Sequence, residues 1–217
     1  MLWKDKTSVI QANGTAESIV EWGMKANLDS GQRQAFEIIT ASFILTFFND
    51  HRCLLDYTDD DQAVSHFETE KKKLEKLADS TRSVRKGNQL IALMHGPGGA
   101  GKSWVIDLVQ LYAKEYCSFL DNFEYDKRTI VITAMTGCAA TLLNGETAHG
   151  AFKLNSKKVD AQEEQEWKNT RLVFVDEVSF SSKEEVIQMN NKLQLFKGDR
   201  SNAFGVSVIL IFFFLDS

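Results

Sequence analysis

Residues 95–103 read HGPGGAGKS, setting four glycines around the chain's single proline and closing on a lysine and a serine. The order Gly96-Pro97-Gly98-Gly99-Ala100-Gly101-Lys102-Ser103 fits the phosphate-loop pattern G-x-x-x-x-G-K-[ST]. In that pattern, backbone amides turn inward around a phosphate, the lysine reaches the β and γ phosphates, and the hydroxyl binds magnesium. Such a loop belongs between a buried strand and a helix. Leu90-Ile91-Ala92-Leu93-Met94 supplies an apolar strand before it, and Trp104 to Tyr112 supply a helical apolar pattern after it.

Working outward, strand and helix patterns alternate from Gln89 onward: strand 89–94, helix 102–117, strand 129–133, helix about 136–143, strand 171–175 and helix 182–196. Short all-apolar strands separated by helices predict an α/β domain with a parallel sheet and helices on both faces. Its ligand is expected at the strand C-termini. Upstream, residues 28–50 carry Ala35, Phe36, Ile38, Ile39, Phe43, Ile44, Phe47 and Phe48 at helical spacing. Residues 1–27 show no clear element and read as a peripheral segment. Residues 56–87 read as a charged surface insertion, helix or coil, within a domain spanning 28–217.

The chain has 217 residues, 43% of them hydrophobic and 25% charged, with a formal charge of −5. That balance fits one globular domain and opposes general affinity for nucleic acid, so such a partner needs a local site. The run Lys71-Lys72-Lys73-Leu74-Glu75-Lys76, continued by Arg82, Arg85 and Lys86, is either a basic patch or a solvated helix face. Cys53, Cys117 and Cys138 are odd in number and lack C-x-x-C spacing, which indicates neither a disulfide framework nor zinc and suits an intracellular compartment. No stretch approaches the ~20 apolar residues of a membrane span.

Arg171-Leu172-Val173-Phe174-Val175-Asp176-Glu177 is an apolar strand that delivers two adjacent carboxylates at its end. An aspartate there can hold magnesium beside Ser103, and the neighbouring glutamate can take a proton from an attacking water. Lys102 and Glu177 are thus the candidate catalytic residues, Ser103 and Asp176 the candidate metal ligands. The pair favours ATP hydrolysis over phosphoryl transfer to an acceptor hydroxyl. Residues 133–150, TAMTGCAATLLNGETAHG, place two Thr-rich turns around a short Ala-rich helix. Hydroxyls and amides in such turns can hold a phosphodiester backbone, or the small residues can serve tight packing alone.

Together these stretches resemble the Pif-type DNA helicases of superfamily one, above all the Helitron-transposon-like branch. Leu28-Asp29-Ser30-Gly31-Gln32 is similar to their adenine-reading glutamine motif, GPGGAGKS to motif I, residues 133–150 to motif Ia and its extension, and VFVDEVSF to motif II. The resemblance runs from about Leu28 to the C-terminus and implies a RecA-like domain that uses ATP and magnesium. It implies that Gln32 hydrogen-bonds adenine, that Gly96 to Ser103 wrap the phosphates, and that Thr136, Gly137 and His149 lie against single-stranded DNA. It also implies 5′-to-3′ movement, roles in DNA repair, recombination and telomere maintenance, and a nuclear location in a eukaryote. The chain departs from the family after motif II: the Gly-Asp and Gln-Leu-Pro-Pro elements are absent, as is a second RecA-like domain. The expectation is therefore nucleotide binding without unaided unwinding. The competing readings are another P-loop ATPase of AAA+ type and a nucleotide-binding remnant without turnover.

Overall fold

A computed structural model describes residues 15–49, 61–79, 84–86, 89–120, 123–156, 159–205 and 209–215. The chain divides into two units, residues 1–79 with 104–124, and residues 80–103 with 125–217. The first unit is helical. α1 (Ala16–Lys25), α2 (Ser30–Asn49) and α3 (Asp61–Ala78) pack on one another. α4 (Lys102–Cys117), which opens in the second unit, gives most of its length to the first. Thr15 caps α1 by accepting the Ser18 amide, and the Ser18 hydroxyl meets the buried Tyr112 hydroxyl of α4 at 2.5 Å. Edge-to-face contacts of Tyr112 with Trp22 and Phe36, and of Tyr116 with Phe43 and Phe47, join these helices through aromatic rings.

Two features of this unit differ from the sequence reading. Residues 16–25 form a helix where none was expected: Thr15 caps it, and the residues it buries are Ser18, Ile19 and Gly23, of which only Ile19 is a large apolar side chain. α3 is packed as well as charged: Leu74 and Ala78 are buried, the buried Glu70 accepts the Ala16 amide at 2.6 Å, and Lys73 pairs with Glu17 at 2.7 Å. The lysine run is therefore the outer face of a packed helix. Arg82 lies outside the described residues.

The second unit is a six-stranded sheet in the order β1 (Val84–Lys86), β2 (Gln89–Gly96), β6 (Ile209–Leu215), β5 (Leu172–Asp176), β3 (Ile130–Ala134), β4 (Glu146–Thr147). β2, β6, β5, β3 and β4 run parallel, and β1 is an antiparallel edge whose Val84 faces Ile91. Its three residues include two charges, which hid it within the charged segment. Between the strands lie α5 (Gly137–Leu142), α6 (Ala148–Ala151), α7 (Ala161–Trp167), a 3₁₀ turn at Val178–Phe180 and α8 (Lys183–Phe196). This is the RecA-like α/β fold that the sequence predicts. The chain leaves β2, skips two strand positions to β3, then returns inward through β5 to β6, which fills the gap beside β2.

The core explains the apolar strands. β3 is buried throughout, and on β5 everything before Asp176 is buried. Buried Thr133 donates its hydroxyl to the Phe174 carbonyl at 2.8 Å, so its polarity is satisfied inside the sheet. Beside the sheet, the Trp167 ring stacks between Phe152 and Phe196, with centroids 5.3 and 4.7 Å away, and the Arg128 guanidinium lies 5.7 Å from its centroid.

Gly145 approaches β3 so closely that a β-carbon there would stand 2.5 Å from the Ile132 carbonyl oxygen. Gly145→Ala is expected to destabilise the protein by about 1–3 kcal/mol, measured by urea unfolding, because the strand backbone cannot move aside. Lys197, at the end of α8, donates to the carbonyls of Thr170 at 2.7 Å and Lys168 at 3.1 Å. Burial and the nearby Arg171 charge pull its ammonium from the usual 10.5 down to about 7. The unfolded chain thus holds this proton to higher pH than the folded one, so the lysine's contribution to stability is complete above 10.5 and lost as pH falls toward 7. Unfolding free energies at neutral and alkaline pH should show wild type gaining on Lys197→Met as pH rises, with the gap constant if Lys197 titrates normally.

Candidate nucleotide site

Two strands present the site. β2 ends at Gly96, where the phosphate loop begins, and β5 ends at Asp176. β6 lies between them, with Met94 facing Phe213 and Val175 facing Phe212, so Asp176 stands level with Met94 and the loop opens two residues further on. At ~4.8 Å per strand spacing, the two ends are about 10 Å apart, a gap suited to a phosphate group with its metal.

Gly99 and Gly101 adopt left-handed φ values of 78° and 75°, which residues with a β-carbon rarely take. These two turns fold the loop back on itself. Lys102, the first residue of α4, donates its ammonium to the carbonyls of Gly96 at 2.7 Å and Pro97 at 3.0 Å. The lysine therefore holds the loop's entry together and stands at its mouth. Ser103 follows as an exposed hydroxyl on the first turn of α4.

Asp176 and Glu177 are tied to each other. The Glu177 amide donates to Asp176 Oδ1 at 2.8 Å, leaving Oδ2 for another partner, while the Asp176 carbonyl accepts from the Met135 amide at 3.1 Å. Burial raises the Asp176 carboxyl above its ordinary range, and the neighbouring Glu177 charge adds to this while Lys102 works against it. The lysine is thus within electrostatic reach of the aspartate. Glu177 stands in a left-handed conformation, φ 55° and ψ 35°, and its carboxylate accepts the Thr136 hydroxyl at 2.5 Å. Ser103 and Asp176 offer hydroxyl and carboxylate oxygens, the hard donors that magnesium takes alongside phosphate oxygens. Among the described residues, no group of three or more His, Cys, Asp or Glu side chains is placed to hold a metal by itself.

The other sequence-predicted residues are arranged as follows. Thr136 caps α5, accepting the Ala139 amide at 3.3 Å while donating to Glu177. Gly137 is exposed, and a β-carbon built on it would meet nothing within 4 Å. His149, on α6, lies 3.0 Å from Glu185 Oε1, whose carboxylate also closes a capping box with Ser182 at the start of α8. Gln32 lies in the first unit, where its side-chain oxygen accepts the Asp29 amide at 3.2 Å and its own amide donates to Asp29 at 2.8 Å. That reciprocal pair caps α2. Sequence reasoning missed the link between Thr136 and Glu177. They are 41 residues apart, and only the pairing of β3 with β5 brings the two strand ends together.

Comparison with known proteins gives a family model described as an AAA domain, matching residues 77–198. No curated protein matches the chain. Among solved structures, the chain is similar to the Bacteroides Pif1 helicase in complex with ADP-AlF3 and ssDNA, with 18% identity and a TM-score of 0.47 over 66% of this chain and 31% of that one. It is also similar to Bacteroides Pif1 bound to ssDNA, with 19% identity and a TM-score of 0.44 over 55% of this chain and 27% of that one. Pif1 helicase from Candida albicans matches at 20% identity and a TM-score of 0.43, over 55% of this chain and 28% of that one. The chain thus spans less than a third of each of these proteins. Among the described residues, no helix is long and apolar enough to cross a membrane.

Keeping Asp176 ionised in a half-buried place costs stability. Its raised carboxyl contributes stability only below the usual aspartate range, and that contribution is lost as pH rises through the raised value. Asp176→Asn, which can still accept the Glu177 amide, should therefore melt at a higher temperature than wild type at neutral pH, with the gap shrinking as pH falls; calorimetry at acid and neutral pH checks this.

Proposed function

This chain belongs to the AAA domain family, and on that premise we propose that it is an ATP-hydrolysing RecA-like domain of Pif-type helicase character, whose turnover answers to single-stranded DNA. The observation that carries this reading is the meeting of Lys102, Asp176 and Glu177 at the C-terminal ends of two parallel strands separated by one strand. A phosphate-gripping loop alone would serve many proteins; a carboxylate that can hold a metal beside a glutamate that can act as base is the arrangement hydrolysis needs.

In this reading, the loop amides and Lys102 bind the nucleotide, the lysine leaving the Gly96 and Pro97 carbonyls for the β and γ phosphates. Magnesium, held by Ser103 and Asp176 together with phosphate oxygens, would neutralise phosphate charge. Glu177 orients the attacking water and takes its proton. The Thr136–Gly137 turn, exposed at the same end of the sheet, supports contact with a single strand, with His149 as a further contact once it leaves Glu185. The assignment of DNA, of 5′-to-3′ direction and of work in repair, recombination or telomere maintenance rests on the motif resemblance. Gln32 as an adenine contact rests on it too, and requires the glutamine to give up its bond to the Asp29 amide.

The test is steady-state ATP hydrolysis by the full chain, with and without a single-stranded oligonucleotide. Glu177→Gln should lower kcat by about 10²–10⁴-fold with nucleotide binding retained, and Lys102→Ala should lose nucleotide binding itself. Wild-type turnover no faster than that of Glu177→Gln would sink the hydrolytic reading and leave a nucleotide-binding protein.

A further inference from the structure

We propose that Phe180 is a stacking platform for one base of a bound single strand, set between two points that hold the strand's phosphates. The inference deepens the function proposed above and rests on its reading of the Thr136–Gly137 turn and His149 as strand contacts.

It is carried by the placing of residues 177–185, the short segment that leaves β5 and starts α8. Each end of this segment is tied to one of those contacts. At its start, Glu177 accepts the Thr136 hydroxyl at 2.5 Å; at its end, Glu185 Oε1 lies 3.0 Å from His149 Nε2. Phe180 stands between the two ties and is 66% exposed. A ring left in water contributes little to the fold, whereas every base has a π-face on which an aromatic side chain can stack.

Charge decides which part of a strand fits here. The segment carries Glu177, Glu184 and Glu185 against one cation, Lys183. Those carboxylates disfavour a phosphate over the ring and leave an uncharged base as the part of the strand that this stretch accepts. Phosphates fall instead on either side. One side is the open Gly137, where a β-carbon would meet nothing within 4 Å, and the other is His149, whose side chain is 42% exposed.

The ring is also held ready. The Phe180 amide donates to the Glu177 carbonyl at 2.9 Å, the Ser181 amide to the Val178 carbonyl at 2.9 Å, and the Ser181 hydroxyl to that same carbonyl at 2.6 Å. Beyond them, Ser182 and Glu185 close the capping box of α8. The backbone on both sides of Phe180 is thereby fixed before a strand arrives, so stacking has only the side-chain torsions to order.

The experiment measures binding of fluorescently labelled oligo-dT, and of an abasic strand of the same length in the same salt, by wild type, Phe180→Ala, Phe180→Leu and Phe180→Trp. Stacking of one base corresponds to about 5- to 150-fold in affinity. Phe180→Ala should lose a factor in that range on oligo-dT. Phe180→Leu, which keeps apolar bulk without a π-face, should lose most of it as well, and Phe180→Trp should match or exceed wild type. On the abasic strand all four should bind alike. The added tryptophan gives a second readout: the emission of Phe180→Trp, less that of wild type, should be quenched by oligo-dT and not by the abasic strand.

Equal affinity of wild type and Phe180→Ala for oligo-dT overturns the proposal. So does a loss of equal size on both strands, which marks a residue that shapes the turn and touches no base. Phe180→Leu binding as wild type does overturns stacking in favour of plain apolar contact. A wild type that binds neither strand removes the single-strand reading and the inference with it. A wild type that binds both strands equally leaves that reading standing and removes the platform alone.

Discussion

A buried parallel strand can carry charged side chains only where it runs out, and the candidate site depends on that constraint. β3 and the first four residues of β5 lie wholly inside the protein, so these two strands offer charge only where they end. Because β2, β6 and β5 run in the same direction, the ends that carry Gly96 and Asp176 fall on the same edge. One strand of separation sets the gap between them. Phosphate grip, metal ligand and base are thereby assembled from segments some 80 residues apart without any long loop having to find its partner.

The charged groups that result are uncomfortable ones, and each is compensated locally. Lys102 satisfies itself on two carbonyls of its own loop. Asp176, half-buried, accepts the amide of the residue that follows it. Glu177 takes the hydroxyl of Thr136 across the β3–β5 pair. These bonds hold the ligand-free arrangement of the loop and the strand ends together. The loop is consequently shaped before nucleotide arrives, and binding need not supply the ordering free energy of nine flexible residues.

Much of this was legible in the sequence because it is written in short range. The phosphate loop is contiguous, and its strand and helix neighbours are unbroken apolar runs, so residues 89–117 read correctly but for two residues at the end of β2. The four-residue apolar run before Asp176 announced β5 in the same way. What escaped is short or long-range by nature. β1 has three residues, two of them charged, and the face that α1 buries includes a serine and a glycine, so neither stands out as an apolar run. The side chain of Gln32 also caps its own helix, a local bond that the letters Asp29-Ser30-Gly31-Gln32 encode alongside the nucleotide contact their motif resemblance implies. The bond between Thr136 and Glu177 follows from strand pairing, which no local pattern expresses.

The left-handed backbone at Glu177 has a consequence for how this protein would respond to selection. A glutamate there costs about 1–2 kcal/mol relative to a residue at ease with positive φ, and glycine or asparagine would adopt the turn more cheaply. The phosphate loop has no such conflict, since its left-handed positions are already glycine. A library sorted for thermal endurance alone would therefore gain by replacing Glu177 and find no such gain at the left-handed positions of the phosphate loop.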